Sequence, residues 1–289
     1  MSQRTTKARP WLVVTENDLH AGSTVAPCGE DVRLDDGGYY KPSKLNLWLW
    51  AKREATWAQL RALRERHNAH GVIVCNGDLF DGNHHGTTQI LSGNPEAQHY
   101  VASRMADVWE RFHPDRVYIV RGTDAHVGEA ASAEEGFAKG LASRLPIVRD
   151  PETHLWSYWA LNVRFHGRLL NWAHHANVSG LPWTAPAGIA RLAFRIWSEH
   201  SLRNWPVPDL AFRAHSHSTV PGGKLLDSYD AYPTRAILVP SWQAKTGYAH
   251  KRVTEAVTTF GVVATLIQPN GDYQVFPFLT QPDPPTIQE

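Results

Sequence analysis

Short apolar runs alternate with helical patterns along the first half of the chain. Residues 11–14, 72–75 and 117–120 are uninterrupted apolar stretches with the length of a buried strand. Residues 43–68 carry apolar side chains at intervals of three and four, with Ser43 available as an N-cap, and helices are also expected over 95–112 and 129–145. This order of elements predicts an α/β fold.

The second half of the chain has a different pattern. Residues 156–166 and 169–172 alternate between apolar and polar side chains and are joined through Gly167, which predicts an antiparallel hairpin. A helix over 187–204 and a strand over 210–213 follow, and Asn270-Gly271 is a strong turn signal between 262–267 and 273–278. Residues 22–42 are expected to form a long surface loop. We expect one domain over 1–280 and a flexible, proline-rich tail over 281–289.

Composition excludes several classes of protein. Hydrophobic residues are 42% and charged residues 20% of the 289 residues, which is ordinary globular usage and argues against disorder. No apolar stretch approaches the roughly 20 residues of a membrane span, and residues 11–14 are too short for a signal-peptide core. Two cysteines and no disulfide pattern favour the cytoplasm. A net charge of +1 argues against a large surface for duplex nucleic acid.

Potential metal ligands recur directly after predicted strands. Ligands of open α/β sheets bind beyond the carboxyl ends of the strands, so side chains at those positions are expected to converge. The chain has sixteen histidines, and several fall at such positions. Five clusters follow predicted strands: Asp18 and His20; Asp78 and Asp81; Thr123, Asp124 and His126; His174 and His175; His215 and His217.

The donor types in these clusters favour a catalytic metal site. Imidazole and carboxylate donors without thiolates suit Zn, Mn, Fe or Ni in an open site, whereas structural zinc sites are usually rich in cysteine. Side chains two residues apart on an extended segment point the same way, so Asp18 is expected to face the same side as His20, and His215 the same side as His217. A single histidine is more often structural than a ligand, but ordered recurrence at five strand ends favours a metal centre.

The order and spacing of these clusters, over about residues 10–278, resemble the calcineurin-like metallophosphoesterase family. Its pattern is Asp-x-His, Gly-Asp-x-x-Asp, Gly-Asn-His-Asp or Glu, a lone His, and Gly-His-x-His. The resemblance implies a two-sheet αββα sandwich with mixed sheets and two divalent metal ions. It implies that Asp81 supports a ligand from the second shell of the site. The implied ligands are Asp18, His20 and His217 for one ion, His174 and His215 for the other, and Asp78 between them.

The chain departs from the family pattern after the third strand. Thr123-Asp124 replaces the Asn-His pair, and His126 follows two residues later. The sequence leaves open whether Thr123 or Asp124 completes the second metal site, and His126 is the candidate for the missing imidazole that assists the leaving group. Arg121 is a candidate phosphate contact.

Two further features of the sequence bear on the resemblance. The choice between His174 and the adjacent His175 as ligand also stays open, and Ala214 replaces a family glycine. The Gly-Thr-x-x-His variant resembles the branch encoded by tailed phages and prophages, which would place the protein in a host cytoplasm.

Three classes of function are consistent with the sequence. The resemblance implies hydrolysis of a phosphoester by a water activated by the two metal ions, with a phosphodiester preferred over a monoester. Candidate substrates are a cyclic nucleotide, a nucleotide conjugate or a short nucleic acid. The alternative is a catalytically weak or inactive binding or scaffold protein of the same fold. An amidohydrolase-like enzyme would need eight βα units, which the β-rich last third does not provide.

Overall fold

The structure, a computed structural model, describes residues 8–84, 86–176, 178, 184–217, 224–247 and 258–282. His85 and most of the predicted tail lie outside these ranges. The chain is mixed α/β. The strands of its first sheet are β1 (Trp11–Glu16), β4 (His70–Asn76), β5 (Arg116–Val120), β11 (Phe260–Ile267) and β12 (Tyr273–Thr280); those of the second are β6 (Leu161–Phe165), β7 (Arg168–Trp172), β8 (Leu210–Arg213), β9 (Leu226–Asp227) and β10 (Arg235–Leu238).

The first sheet has the strand order β12-β11-β1-β4-β5. Strands β1, β4 and β5 are parallel, while β11 pairs antiparallel with both β1 and β12. Val14 lies opposite Ile73 on one side and Ala264 on the other. All three predicted apolar strands are confirmed. Their sequences are continuous apolar runs because both faces of this sheet are buried.

The second sheet has the order β6-β7-β8-β10-β9. Strands β7, β8 and β10 are parallel, and the edge strands β6 and β9 run antiparallel to their neighbours. The predicted hairpin between β6 and β7 is confirmed. Its two turn residues, His166 and Gly167, have φ angles of 47° and 88°, which suit a tight two-residue hairpin turn.

A buried apolar cluster contains side chains from both sheets. Val74 and Val120 of the first sheet belong to it together with Trp172 and Phe212 of the second, whose rings stack with centroids 5.3 Å apart. A second cluster joins the first sheet to α1 (Lys44–Arg66), α2 (Pro95–Phe112) and α4 (Ser132–Leu141). A third joins the second sheet to α5 (Ala185–Leu202). Apolar side chains of the two mixed sheets therefore share one cluster, and helices pack against each sheet in the other two.

The helices agree with the sequence except at one place. Ser43 caps α1, because the backbone N–H of Asn46 donates to its Oγ and the Asn46 side chain accepts from the Ser43 N–H. The predicted helix over 129–145 is confirmed over α4 (Ser132–Leu141) only. It begins later than expected because Ala130 and Ala131 adopt left-handed φ angles of 55°, and a separate short helix, α3 (Asp124–Val127), precedes them.

Two other sequence expectations concern surface features. The expected loop over 22–42 contains a small hairpin of β2 (Val32–Arg33) and β3 (Tyr39–Tyr40). None of the described helices is both long enough and apolar enough to cross a membrane.

Candidate metal centre

The loops that follow five strands meet at the carboxyl ends of β1, β4 and β5 in one sheet and of β7 and β8 in the other. The backbone N–H of Asp18 donates to the carbonyl of Gly77 at 3.0 Å, which ties the loop after β1 to the loop after β4. The backbone N–H of His215, after β8, donates to Oδ2 of Asp18 at 3.1 Å. These bonds bring predicted ligands from different strands to one place.

Asp18, His20 and His217 form the first cluster of possible metal ligands. Oδ1 of Asp18 lies 3.4 Å from Nε2 of His217 and 3.9 Å from Nε2 of His20. The two Nε2 atoms are 3.3 Å apart. Asp18 and His20 are buried and His217 is partly exposed, so the cluster is deep on one side and reachable from solvent on the other.

Asp78, His174 and His215 form the second cluster. Oδ2 of Asp78 lies 3.0 Å from Nε2 of His174 and 3.7 Å from Nδ1 of His215. Thr123 joins this cluster, because its Oγ1 lies 3.2 Å from Oδ2 of Asp78 and 3.1 Å from Nδ1 of His215. Nε2 of His174 is also 3.8 Å from Oδ1 of Asp18, so the two clusters are adjacent.

A third group consists of His20, Asp81 and His126. Nδ1 of His20 lies 3.2 Å from Oδ1 of Asp81, which leaves Nε2 of the same ring in the first cluster. Nδ1 of His126 lies 2.6 Å from the carbonyl oxygen of Asp81. Because a carbonyl only accepts, Nδ1 of His126 carries the proton in this contact. Asp81 thus contacts His20 from behind, as the sequence analysis expects of a residue that supports a ligand.

The backbone at the clusters does not have the extended conformation that the sequence argument assumed. Asp18 and His20 nevertheless share the first cluster, as expected. The expectation for His215 and His217 is wrong, because His217 shares a cluster with Asp18 and His215 shares one with Asp78. Left-handed φ angles of 45° to 71° occur at Asp18, His20, Asp78, His215 and His217. Non-glycine residues in this region are uncommon, and such strain concentrates at functional sites.

Gly122 allows the loops after β4 and β5 to approach closely. A Cβ atom at this position would collide with the backbone nitrogen and Oδ1 of Asp78. The N–H of the next residue, Thr123, donates to Oδ1 of Asp78 at 2.6 Å. Glycine therefore lets the backbone orient the Asp78 carboxylate.

The charges in the two clusters balance one another. Burial raises the pKa of Asp18, but the charges of His217 and His174 outweigh it and lower that pKa to about 2. Burial lowers the pKa of His174, but the charge of Asp78 raises it to about 10. The protonated His174 ring thus neutralises the buried Asp78 carboxylate. An imidazolium cannot bind a cation, so metal binding here requires the His174 ring to lose its extra proton.

The donor set at Asp18 suits a metal ion. Oδ1 of Asp18 is buried and has no hydrogen-bond partner among the described residues. Three imidazole Nε2 atoms surround it at 3.4 to 3.9 Å, those of His20, His174 and His217. A buried carboxylate oxygen without a hydrogen bond is costly unless a cation compensates it. Imidazole and carboxylate donors match the chemistry of Zn, Mn, Fe or Ni.

Other candidates from the sequence lie around these clusters. His174 is buried at Asp78, whereas His175 is exposed, with Nε2 3.5 Å from Oγ1 of Thr123. Asp124 is exposed, while Thr123 points into the second cluster. Arg121 is buried. Its Nε donates to Oγ of Ser157 at 3.0 Å, and its guanidinium lies 4.9 Å from the ring centroid of Trp159. No described contact joins Arg121 to the clusters, so its phosphate role stays a prediction.

Two residues near the clusters were missed by the sequence analysis. Nε2 of Gln243 donates to Oδ1 of Asp81 at 2.8 Å. Gln243 lies beyond the carboxyl end of β10, so the strand-end rule that found the other clusters would have found it. Glu134 is fully buried in α4 and accepts from the backbone N–H groups of Leu79 at 3.1 Å and Gly122 at 2.7 Å. No sequence signal separates it from its neighbour Glu135.

Comparisons with known proteins show distant likeness among solved structures. No protein-family model matches the chain, and no curated protein matches it. Among solved structures, the chain is similar to the crystal structure of Chaetomium thermophilum Vps29, with 13% sequence identity and a TM-score of 0.35 over 96% of this chain and 100% of that one. Any functional assignment therefore depends on the residues of the clusters themselves.

Proposed function

We propose that the protein is a metal-dependent phosphoesterase of the calcineurin-like type, with the four-layer αββα arrangement of that family and a preference for phosphodiesters. The observation that supports this most directly is the adjacency of the two ligand clusters. His174 lies 3.0 Å from Asp78 of its own cluster and 3.8 Å from Asp18 of the other. Two neighbouring cation sites with imidazole and carboxylate donors are the arrangement of two-metal phosphoester hydrolases.

Each cluster would bind one divalent ion. We propose that Asp78 serves both ions. Its carboxylate contacts His174 and Thr123 of the second cluster, and the residue before it, Gly77, accepts a hydrogen bond from the backbone N–H of Asp18 in the first. Bound ions would supply Lewis-acid stabilisation of the phosphoryl oxygens and an activated water. The ligands proposed for the two ions are Asp18, His20 and His217, and Thr123, His174 and His215.

The surrounding residues orient these ligands. Oδ1 of Asp81 accepts a hydrogen bond from Nδ1 of His20. This bond fixes the ring and directs its Nε2 to the first cluster. His126 keeps its proton at Nδ1 against the Asp81 carbonyl, and burial followed by the charge of His20 lowers its pKa to about 4. We propose that Nε2 of His126 takes up the proton that the attacking water releases and passes it to the leaving oxygen, while Asp124 remains a candidate catalytic residue and Arg121 a candidate phosphate contact.

The substitution Asp78→Asn tests the assignment. We expect it to remove most hydrolysis of bis-p-nitrophenyl phosphate in the presence of Mn, Ni or Zn and to lower the bound metal measured by mass spectrometry. A matched control is Asp31→Asn, because Asp31 is exposed and remote from the clusters. Thermal melts would show that both variants fold. Wild-type activity in Asp78→Asn would rule out the proposed site, and bound metal without any hydrolysis in the wild type would favour a binding protein of the same fold.

A further inference from the structure

A pocket of about 310 Å³ lies next to the third group of possible ligands. Its walls come from the loop after β4, the start of α2, the short helix α3 and the start of α4. His126 lines the pocket and belongs to the third group, and Asp124 also lines it. The ring of His126 is in edge contact with that of His20, with centroids 4.6 Å apart. One side chain therefore separates the pocket from a proposed metal ligand.

We propose that this pocket binds the alcohol that leaves the phosphodiester, and that this alcohol is a nucleoside. The inference rests on the proposed function, because it requires the phosphoryl group to lie at the clusters. Hydrolysis joins the oxygen of water to phosphorus, breaks the bond from phosphorus to the ester oxygen and leaves a proton on that oxygen. That proton comes from the attacking water, so the product in the pocket would be a neutral alcohol beside His126.

The charge of the lining fits a neutral group. None of the described residues that line the pocket is lysine or arginine, and the acidic residue among them is Asp124. A phosphate or carboxylate would meet no opposite charge here, and Asp124 would repel it. The phosphoryl group belongs at the clusters, and the uncharged part of the ester belongs in the pocket.

The size and chemistry of the lining fit a nucleoside. Ligand pockets commonly measure about 300–1,000 Å³, so about 310 Å³ admits one ring-bearing group and excludes a stretch of polymer. Pro95 and Ala133 supply apolar surface, and Asn83 and Ser132 supply hydrogen-bonding groups. Gln98 is fixed in the wall, since its Oε1 accepts from Gly82 N–H at 3.0 Å and its Nε2 donates to the carbonyl of Ser92 at 3.3 Å. A nucleoside combines flat apolar faces with polar edges.

Binding of uncharged nucleosides to the metal-free protein tests the pocket independently of catalysis. Adenosine, guanosine, cytidine and thymidine would be titrated and followed by saturation-transfer NMR and calorimetry. We expect at least one to bind, and Ser132→Phe to weaken that binding about tenfold or more, because the new ring fills the pocket from an exposed position. Ala125→Trp adds a ring at a second lining position, in α3, and guards against misfolding of a single variant. The control Lys139→Phe adds a ring to an exposed position of α4 outside the pocket.

The possible results separate the two proposals. Weaker nucleoside binding in both pocket variants, with an unchanged control, supports the pocket. Failure of all four nucleosides to bind at concentrations on the order of 1 mM overturns it, as does binding that the pocket variants leave unchanged. Hydrolysis of bis-p-nitrophenyl phosphate without nucleoside binding would support the proposed function and overturn the proposed nucleoside pocket. Nucleoside binding without hydrolysis by the metal-loaded wild type overturns the leaving-group role.

Discussion

Gln243 donates a hydrogen bond from Nε2 to Oδ1 of Asp81 at 2.8 Å, and the same carboxylate oxygen lies 3.2 Å from Nδ1 of His20. The second proton of the Gln243 amide is donated to Oγ of Ser23 at 3.0 Å. Both amide protons are therefore used, and the Gln243 side chain is 5% exposed. This chain of contacts fixes the carboxylate that in turn sets the orientation of the His20 ring.

Replacement of Gln243 by leucine is expected to weaken metal binding by about 10- to 100-fold, because Asp81 loses the donor that orients it. Titration of a divalent metal against a competing chelator would measure this. The control Gln274→Leu changes the same residue type at an exposed position of β12. Equal affinities for wild type and Gln243→Leu would show that Asp81 needs no such support.

Thr123 is expected to complete the second metal site in preference to Asp124. Its Oγ1 lies 3.1 Å from Nδ1 of His215, whereas Asp124 is exposed and lines the adjacent pocket. Thr123→Val preserves the shape of the side chain and removes its hydroxyl group. It should therefore lower the number of metal ions bound per protein molecule. Asp124→Asn should retain the wild-type stoichiometry. Mass spectrometry of both proteins after gel filtration would decide, and the reverse pattern would identify Asp124 as the ligand.

The pattern of apolar residues predicted the strands well, because a strand buried on both faces is a continuous apolar run and a half-buried strand alternates between apolar and polar residues. The positions of Asp18, Asp78, His174 and His215 followed from a rule about strand ends that needs no knowledge of side-chain direction. The sequence did not predict the backbone conformation of these residues. Left-handed backbone at these residues depends on contacts between loops that are distant in the sequence, such as Asp18 N–H with the Gly77 carbonyl.

Glu134 shows a second limit of sequence reasoning. In sequence it is one of two adjacent glutamates in an amphipathic helix, and such residues usually face solvent. In the structure it accepts hydrogen bonds from the backbone N–H groups of Leu79 and Gly122, next to two predicted ligands. Only tertiary packing reveals an acceptor of this kind, because its partners are backbone groups that every residue type except proline provides.

His126→Ala is expected to slow the hydrolysis of diesters with poor leaving groups more than that of diesters with good ones. A side chain that protonates the leaving oxygen matters most when that oxygen is strongly basic, and general acid catalysis contributes about 10²- to 10⁴-fold. Steady-state rates for aryl diesters of graded leaving-group pKa would give the dependence. An equal reduction for all of them would exclude proton transfer by His126 and favour a structural role through its bond to the Asp81 carbonyl.

A buried ion pair at the end of β1 is expected to control stability rather than chemistry. The carboxylate of Glu16 accepts from Nε and Nη2 of Arg53, both at 2.8 Å, and both residues are almost fully buried. The indole N–H groups of Trp57 and Trp109 donate to the same carboxylate at 3.1 and 2.9 Å. Every acceptor position of this buried charge is therefore engaged.

Arg53→Met should lower the free energy of unfolding by about 3–5 kcal/mol, because it leaves a buried carboxylate without its counter-charge. Arg104→Met is the matched control. Its guanidinium lies 2.7 Å from Glu30 in an exposed pair, and such pairs contribute about 0–1 kcal/mol. Denaturant unfolding of both variants would give the difference. Since neither Glu16 nor Arg53 contacts a proposed ligand in the described structure, metal affinity per folded molecule should be retained. If Arg53→Met folds normally yet loses metal, then this ion pair positions Asp18 through β1 and has a direct part in forming the site.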